Sequence, residues 1–358
     1  PSCENARQTH QTGHIKGSRL MENERSLQGI VDLASAYYGS AVLFAALEVD
    51  LFTRVSQVRA PASAADLATL AGLEPRGARL LLDACVAIGL LRKSGETYAN
   101  TEAGAQALVA GGAHDVTQAI RYNHDVYAAW GQLAAFARSG RPVESPACHL
   151  GDDPARTRRF VMAMHGRALG IGRMVVPLID LSGCTRVLDL AGGPGTYAVL
   201  LAQAHPELSC VTVDLPAVSA VAAELVAAAG MSQRVTCRAG DYHADVYEEA
   251  AFDAVTIFGA LHQEAPETIV SILIRARAAL RPGGRLFVLD MMTDATHTQP
   301  AFSALFAVNM ALTTDHGWVF SDEELHGWLR RAGFETCATQ HVPPPMPHWL
   351  VTARKPAH

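Results

Sequence analysis

The amino-acid sequence predicts an α/β protein with a doubly wound, Rossmann-like domain, preceded by a mainly helical region with a winged-helix pattern. Three observations lead to this prediction. Short apolar runs alternate with helical patterns after residue 185, which is typical of a mostly parallel sheet covered by helices on both faces. A glycine-rich turn follows the first of these runs. The N-terminal third shows the spacing of helix, turn, helix and hairpin.

The N-terminal region repeats its apolar residues at helical spacing over 27–55, which predicts two helices. A second pair of helices is predicted over 64–70 and 76–88, separated by a glycine. The run 90–99 follows with a central glycine, the pattern of a small β-hairpin. Together these elements predict a winged-helix domain.

A winged helix also suggests DNA binding. Its second helix would then present basic and amide side chains to base edges, but only Arg76 and Arg79 stand near its start. The chain has 29 Lys and Arg against 35 Asp and Glu, a formal charge of −6, which disfavours a general phosphate-backbone binder. We therefore expect a packing or dimerisation role, with a DNA-binding regulator as the weaker alternative.

The spacing of the apolar residues changes in the C-terminal half of the chain. Residues 116–180 are predicted to be helical, with a break at Pro142 and Pro146. Buried strands are predicted over 187–190, 210–213, 235–239, 254–258 and 286–290, and a terminal hairpin over 336–341 and 348–353.

These patterns divide the chain into a tail at 1–20, disordered or vector-derived, a winged-helix dimerisation domain at 21–115, a helical linker and pocket segment at 116–180 and a sheet domain at 181–358. No 18 apolar residues follow one another, so we expect no transmembrane helix and no membrane partner. We also expect no secretory signal, because no charged start followed by an apolar core opens this sequence. Its seven cysteines form no C-x-x-C pair, which favours a reducing compartment and a cytoplasmic location.

The first strand–helix–strand unit carries the glycine-rich turn. Its first strand ends at Asp189, Gly192, Gly193 and Gly195 follow, and the second strand ends at Asp214. Glycines let a ligand approach the backbone because no Cβ is in the way. An acid at the end of the second strand suits a pair of ribose hydroxyls. The turn alone does not separate a dinucleotide from another adenosyl ligand.

Four motifs in order resolve this ambiguity. DLAGGPG, VTVDLP, AGDYHAD and RPGGRLFVLD together resemble the S-adenosylmethionine-dependent methyltransferases of the caffeate and hydroxyindole O-methyltransferase family. The resemblance extends from about residue 27 to the C-terminus and includes the N-terminal dimerisation domain. It implies a class I methyltransferase fold, S-adenosyl-L-methionine as methyl donor, a small-molecule acceptor and a homodimer, with no nucleic-acid partner.

The resemblance also assigns residues. The glycines match the loop beside the methionine moiety, Asp214 the ribose ligand, and Asp241 and Tyr242 the pair beside the adenine. The full set expected to bind the cofactor is Asp189, Gly192, Gly193, Gly195, Asp214, Leu215, Asp241, Tyr242 and Phe258. His262 matches the family's catalytic base, and Asp290 matches the acid at the end of the next strand.

Four positions depart from the family pattern. Gln263 and Glu264 replace an Asp-Trp pair, Phe258 stands where a lysine is frequent, and His316 occupies a glycine position. Two histidines with nearby oxygen ligands can hold Zn or Fe. In this respect the chain looks similar to the metal-dependent C-methyltransferases of 2-oxo acids that share this fold.

We therefore expect His262, His316 and Gln263 as metal ligands, with Glu264 and Asp290 as alternative third ligands. The leading hypothesis is metal-assisted methylation of the β-carbon of a 2-oxo acid in specialised metabolism, because a chelated metal would stabilise the enolate. The runner-up is metal-independent O-methylation of a phenol or carboxylic acid, with His262 as general base. A methyltransferase fold that has lost transfer activity is a further alternative.

The acceptor is expected to contact side chains from the helical segment and from a later helix. Arg121 would pair with a carboxylate in a bidentate manner. The other predicted substrate residues are Tyr122, Met164, Asn309 and Met310.

Overall fold

The computed structural model describes residues 24–58, 61–112, 115–145, 147, 151, 153–343 and 346–358, so the predicted tail at 1–20 lies outside the described residues. The chain forms two compact units, one ending at Ala105 and one beginning at Gln106.

The first unit is helical with a small sheet, as predicted, but the stretch 27–55 forms three helices instead of the two predicted. Its helices are α1 (Leu27–Ser35), α2 (Tyr37–Glu48), α3 (Leu51–Gln57), α4 (Ala64–Ala71) and α5 (Pro75–Ala87). Strands β1 (Ala62–Ser63), β2 (Leu91–Ser94) and β3 (Thr97–Asn100) form a sheet in the order β1-β3-β2. Ser63 and Asp66 form a reciprocal capping box, which explains why α4 begins where it does.

An apolar stretch opens this unit. Leu27–Glu48 has the length and mean hydropathy, 1.6, of a membrane span, judged by length and composition only, and 17% of it is buried. Leu27, Ile30 and Leu33 are exposed on α1. An exposed apolar face of this kind marks an interaction surface. The expectation that the chain has no membrane-spanning segment therefore stays a prediction.

The second unit contains a seven-stranded sheet. Its strands are β4 (Arg186–Leu190), β5 (Ser209–Asp214), β6 (Val235–Ala239), β7 (Phe252–Phe258), β8 (Leu280–Met291), β9 (Glu335–His341) and β10 (His348–Arg354). The order is β6-β5-β4-β7-β8-β10-β9, in which the first five are parallel and β10 pairs antiparallel with β8 and β9. The predicted α/β sheet and its terminal hairpin are confirmed.

Further helices follow α5 along the chain. They are α6 (Glu102–Ala107), which begins in the first unit, then α7 (Thr117–Asp125), α8 (Tyr127–Trp130), α9 (Leu133–Ser139), α10 (Pro154–Val175), α11 (Thr196–Ala204), α12 (Pro216–Ala228), α13 (Pro266–Ala279), α14 (Ala301–Thr313) and α15 (Asp322–Arg331). The segment predicted as one helical region around Trp130 is three short helices. Side chains alternate along each strand, so Leu188 joins one apolar core and Val187 the other.

The strand order creates a crevice. From β4 the chain moves to β5 on one side and later returns to β7 on the other, so the order reverses between β4 and β7. Ligands of open α/β sheets bind at the carboxyl ends of the strands beside such a reversal. The ends of β4, β5, β7 and β8 are therefore brought together at one edge.

Candidate active site

A cavity of about 540 Å³ lies at this edge. Most of the predicted site residues line it: Tyr122, Met164, Asp189, Gly192, Gly193, Asp214, Leu215, Asp241, Tyr242, Phe258, His262, Gln263, Asp290, Met310 and His316. Three predicted residues are absent from its lining: Gly195, which precedes α11 with a φ of 69°, Arg121 and Asn309. The strand ends thus converge as the sequence predicted.

The glycine loop forms one end of the cavity. A Cβ at Gly192 would collide with the Thr212 hydroxyl and the Asp189 carboxylate. Gly193 has a φ of 55°, and its N–H donates to Asp214 Oδ2 at 2.8 Å. Asp214 Oδ1 accepts the Leu215 N–H at 2.7 Å. Backbone amides and a carboxylate therefore face the ligand space together.

Asp189 lies beneath this loop and is 1% exposed. It accepts hydrogen bonds from Thr256 Oγ1 at 2.7 Å and Thr212 Oγ1 at 3.1 Å. Burial raises the pKa of Asp189 to about 6, against the effect of these two bonds. The carboxyl group fixes β4, β5 and β7 to one another below the loop.

Another part of the cavity carries a cluster of hydrogen-bonded side chains. Tyr242 Oη donates to Glu264 Oε1 at 2.6 Å, and the Tyr242 ring stacks on His243 with centroids 4.4 Å apart. His243 contacts Asp241 Oδ1 through Nδ1 and Glu264 Oε1 through Nε2, both at 2.9 Å. Burial and the neighbouring Glu264 raise the pKa of Tyr242 well above 10.0. Glu264, considered above as a metal ligand, instead holds these two rings.

His262 and Asp290 form a buried pair. His262 lies in a 3₁₀ turn, Leu261–Gln263, directly after β7, and Asp290 lies near the end of β8. Their Nδ1 and Oδ1 atoms are 2.6 Å apart, and the His262 backbone N–H donates to Asp290 Oδ2 at 3.3 Å. The backbone N–H of Trp318 donates to the backbone carbonyl of His262 at 2.9 Å. A carboxylate that accepts from Nδ1–H leaves Nε2 with a lone pair for the cavity.

The described residues give the predicted metal site no support. His316 lines the same cavity as His262, but no three His, Cys, Asp or Glu side chains of the described chain form a group that could hold a metal ion. The carboxylate of Asp290 contacts Nδ1 of His262, so only Nε2 of this ring is left for another partner. The set of His262, His316 and Gln263 therefore gains no support from this geometry.

The arginine that lines the cavity is Arg167, not Arg121. Neighbouring helical residues point about 100° apart, so α7 directs Tyr122 into the cavity and Arg121 away from it. Arg167 on α10 lines the cavity, and its guanidinium lies 5.7 Å from the Tyr122 ring centroid. Arg121 is absent from the cavity lining, and its pairing with a substrate carboxylate stays a prediction.

Asn309 also lies behind the cavity wall. Its Oδ1 accepts from Trp130 Nε1 at 2.8 Å, and its Nδ2 lies 3.5 Å from Tyr122 Oη. Asn309 is thereby bonded within the protein and supports Tyr122, whose ring faces the ligand space. Phe306 and Met310 on α14 supply the neighbouring apolar surface.

Sequence analysis did not identify His348, the first residue of β10. It is 8% exposed, lines the cavity, and lies opposite Met291 in the pairing of β10 with β8. Its Nδ1 is buried and has no hydrogen-bond partner in the described part of the chain. A signal existed: the final predicted strand begins with this histidine, and a hairpin at the sheet edge would place it beside the strand that ends in Asp290.

We expect stability to depend on pH through His348. Burial, and secondarily Arg167, lowers its pKa from 6.5 to about 4. The unfolded chain therefore binds this proton at a higher pH than the folded protein does. The free energy of unfolding should fall as the pH decreases from 6.5 towards 4, by at most about 1.4 kcal/mol per pH unit. Urea unfolding of wild type and His348→Leu across this range should show that the free energy of unfolding of the wild type falls more steeply with decreasing pH. A difference in free energy between the two proteins that does not change with pH would contradict the prediction.

These features define a class of protein. The sheet is doubly wound, the loop after its first strand is rich in glycine, and several strands end in acidic residues. These features and a His–Asp pair meet in one cavity. This is the arrangement of a group-transfer enzyme that takes an adenosyl ligand. Residues 136–335 match the family model of the O-methyltransferase domain, and residues 31–110 match that of the O-methyltransferase dimerisation domain.

Individual relatives agree with the family models. The chain is 33% identical to the tetracenomycin polyketide synthesis 8-O-methyl transferase TcmO of Streptomyces glaucescens, over 91% of this chain and 96% of the relative. It is 30% identical to 3-hydroxy-5-methyl-1-naphthoate 3-O-methyltransferase of Streptomyces sahachiroi, over 91% and 94%. Human N-acetylserotonin methyltransferase in complex with SAM superposes with a TM-score of 0.84 at 25% identity, over 94% and 99%. The chain belongs to the O-methyltransferase family and is an S-adenosylmethionine-dependent methyltransferase.

Proposed function

We propose that this enzyme methylates a phenolic hydroxyl of an aromatic small molecule in specialised metabolism, with His262 as the general base. The observation that carries the proposal is the contact between His262 Nδ1 and Asp290 Oδ1, 2.6 Å, in a buried pair that lines the cavity. A phenol needs only a base to become a nucleophile, and this pair supplies one without a metal.

The residues present fit the cofactor. Gly193 leaves open space above its Cα, since a Cβ there would meet no atom within 4 Å. Each Asp214 oxygen accepts one backbone N–H and keeps capacity for a further bond, which suits ribose hydroxyls. Asp241 and Tyr242 would lie beside the adenine. S-adenosylmethionine, when bound, supplies an electrophilic methyl group on its sulfonium.

The chain's own groups prepare the acceptor. His262 Nε2 would accept the proton of the acceptor hydroxyl, which leaves the oxygen as a phenolate. Asp290 fixes the tautomer and orientation of the ring and stabilises the imidazolium that results. Phe306 contacts the ring of His262 edge to face, with centroids 5.1 Å apart, and limits its rotation.

The cavity wall favours a flat aromatic acceptor. Tyr122, Phe160, Met164, Phe306 and Met310 present aromatic and thioether surfaces from three helices. A volume of about 540 Å³ lies within the range of small-molecule sites. The two Streptomyces relatives carry polyketide and naphthoate substrates in their names, which supports an aromatic acceptor here.

We also propose that the protein is a cytoplasmic homodimer that associates through its N-terminal domain. The dimerisation family model covers residues 31–110, and α1 and α2 expose apolar side chains such as Ile30, Leu33 and Tyr38. A second copy of the same surface would remove them from water.

The test is a methylation assay with purified protein, S-adenosylmethionine and a panel of naphthols, hydroxynaphthoates and 2-oxo acids such as phenylpyruvate. We expect a methyl ether of a phenol by mass spectrometry and NMR, and the same rate after treatment with a chelator. Methylation at the β-carbon of a 2-oxo acid, lost with chelator and restored by Zn or Fe, would instead establish the metal-assisted hypothesis.

A further inference from the structure

The cavity contains a second buried histidine that has no role in the proposed reaction. His348 enters it from β10, on the opposite side of β8 from β7, which leads to His262. Its neighbour Trp349 pairs with Asp290 in the β10–β8 register. Because neighbouring strand residues point to opposite faces, His348 and Asp290 reach this edge of the cavity from the two faces of the sheet.

The side chain is polar, buried and incompletely bonded. His348 is 8% exposed, and its Nδ1 has no hydrogen-bond partner among the residues that the structure describes. A buried ring nitrogen without a partner is costly, so such atoms in native proteins are generally satisfied by water or by a ligand. Its place in the cavity lining gives a ligand direct access to this ring.

The surroundings determine which kind of ligand fits. The charged and titratable groups that act on His348 are Arg167, Asp290 and His262. Burial and Arg167 lower its pKa to about 4, so the ring is neutral near pH 7. A neutral imidazole has one N–H donor and one acceptor nitrogen. It can therefore bond to a hydroxyl or a carbonyl without requiring a charged partner.

We propose that His348 hydrogen-bonds to a second oxygen of the acceptor, close to the hydroxyl that faces His262, so that the enzyme selects arenes with two neighbouring oxygens. The inference rests on the proposed function, because it takes the cavity as the acceptor site. The acceptor class is a polyoxygenated arene with a hydroxyl or carbonyl in the ortho or peri position. His348 is then a specificity-determining residue, and His262 remains the base.

Two probes separate this role from general packing. 1,8-Dihydroxynaphthalene carries two neighbouring hydroxyls, and 1-naphthol carries one on the same ring system. Their affinities are measured by calorimetry with S-adenosylhomocysteine present. We expect wild type to bind the dihydroxy probe about tenfold more tightly or better, because a site built for a second oxygen rejects a ligand that lacks it.

Substitution should remove this preference. In His348→Leu the affinity ratio of the two probes is expected to fall close to one. His348→Phe, which keeps a ring but lacks both nitrogens, should behave in the same way and serves if the leucine variant does not fold. His341→Leu is the matched control, because His341 is exposed on β9 and is absent from the cavity lining. It should keep the wild-type ratio.

A wild-type affinity ratio near one would overturn the proposal. Failure of the wild type to bind either probe would overturn it as well. A ratio unchanged in both His348 variants would also overturn it, since the preference would then come from another group. The methylation assay is read separately. Absence of any methyl ether from wild type would reject the phenol O-methylation, whereas the affinity ratio alone decides the role of His348.

Discussion

Replacement of His262 by alanine is expected to lower kcat on a phenolic acceptor by about 10²–10⁴-fold, which is the usual contribution of a positioned general base. The loss should fall on kcat rather than on cofactor binding, because the ring adjoins Asp290 and Phe306 and not the glycine loop. Steady-state kinetics with a naphthol acceptor, together with calorimetry of S-adenosylhomocysteine, separates the two effects. The affinity for S-adenosylhomocysteine should change by less than about twofold.

The control for this prediction varies the acidity of the acceptor hydroxyl. A nitro-substituted naphthol is already ionised near neutral pH, so it has little need of a base. The His262→Ala variant should therefore lose much less activity on the nitro compound than on the parent naphthol. Equal losses on both acceptors would show that His262 positions the substrate and does not remove its proton. Asp290→Asn should reduce kcat in the same acceptor-dependent manner, because Asp290 orients the ring.

The strands and their order could be predicted because burial on both faces leaves continuous apolar runs, such as 187–190 and 254–258. Parallel strands also place their carboxyl ends at one edge. For this reason Asp189, Asp214 and His262, which are distant in sequence, could be expected to line one cavity, and they do. Their chemical roles stay predictions until they are tested.

The acceptor side was less predictable because it depends on helix rotation rather than on strand alternation. Arg121 and Tyr122 are adjacent in sequence, and only the phase of α7 decides which of them faces the cavity. Arg167 lies within a helix of 22 residues that carries several arginines, so sequence alone gives no reason to select it. The metal hypothesis depended on how His262, His316 and a third ligand approach one another, which sequence spacing across more than fifty residues does not define.

The glycine loop leads to the second large effect. Gly192→Ala is expected to reduce the free energy of unfolding by about 3 kcal/mol and to abolish measurable binding of S-adenosylhomocysteine. A Cβ there would collide with Thr212 Oγ1 and Asp189 Oδ2, both of which lie in the buried network under the loop. Thermal unfolding should show a midpoint lower by about 6–12 °C. Gly170→Ala is the matched control: it lies within α10 with no atom within 4 Å of a new Cβ, and should be neutral or more stable by about 0.5–1 kcal/mol.

A second substitution tests whether the collision is the cause. Thr212→Ala alone should destabilise, because Asp189 loses one of its two hydroxyl donors. In the double variant the same change removes the oxygen that the new methyl group meets. The two effects should then be less than additive, with a coupling energy of about 1 kcal/mol or more in favour of the double variant. Strict additivity would mean that the glycine is needed for another reason, such as close approach of the ligand. In that case Gly192→Ala would lower the free energy of unfolding by the same amount with and without the Thr212 hydroxyl.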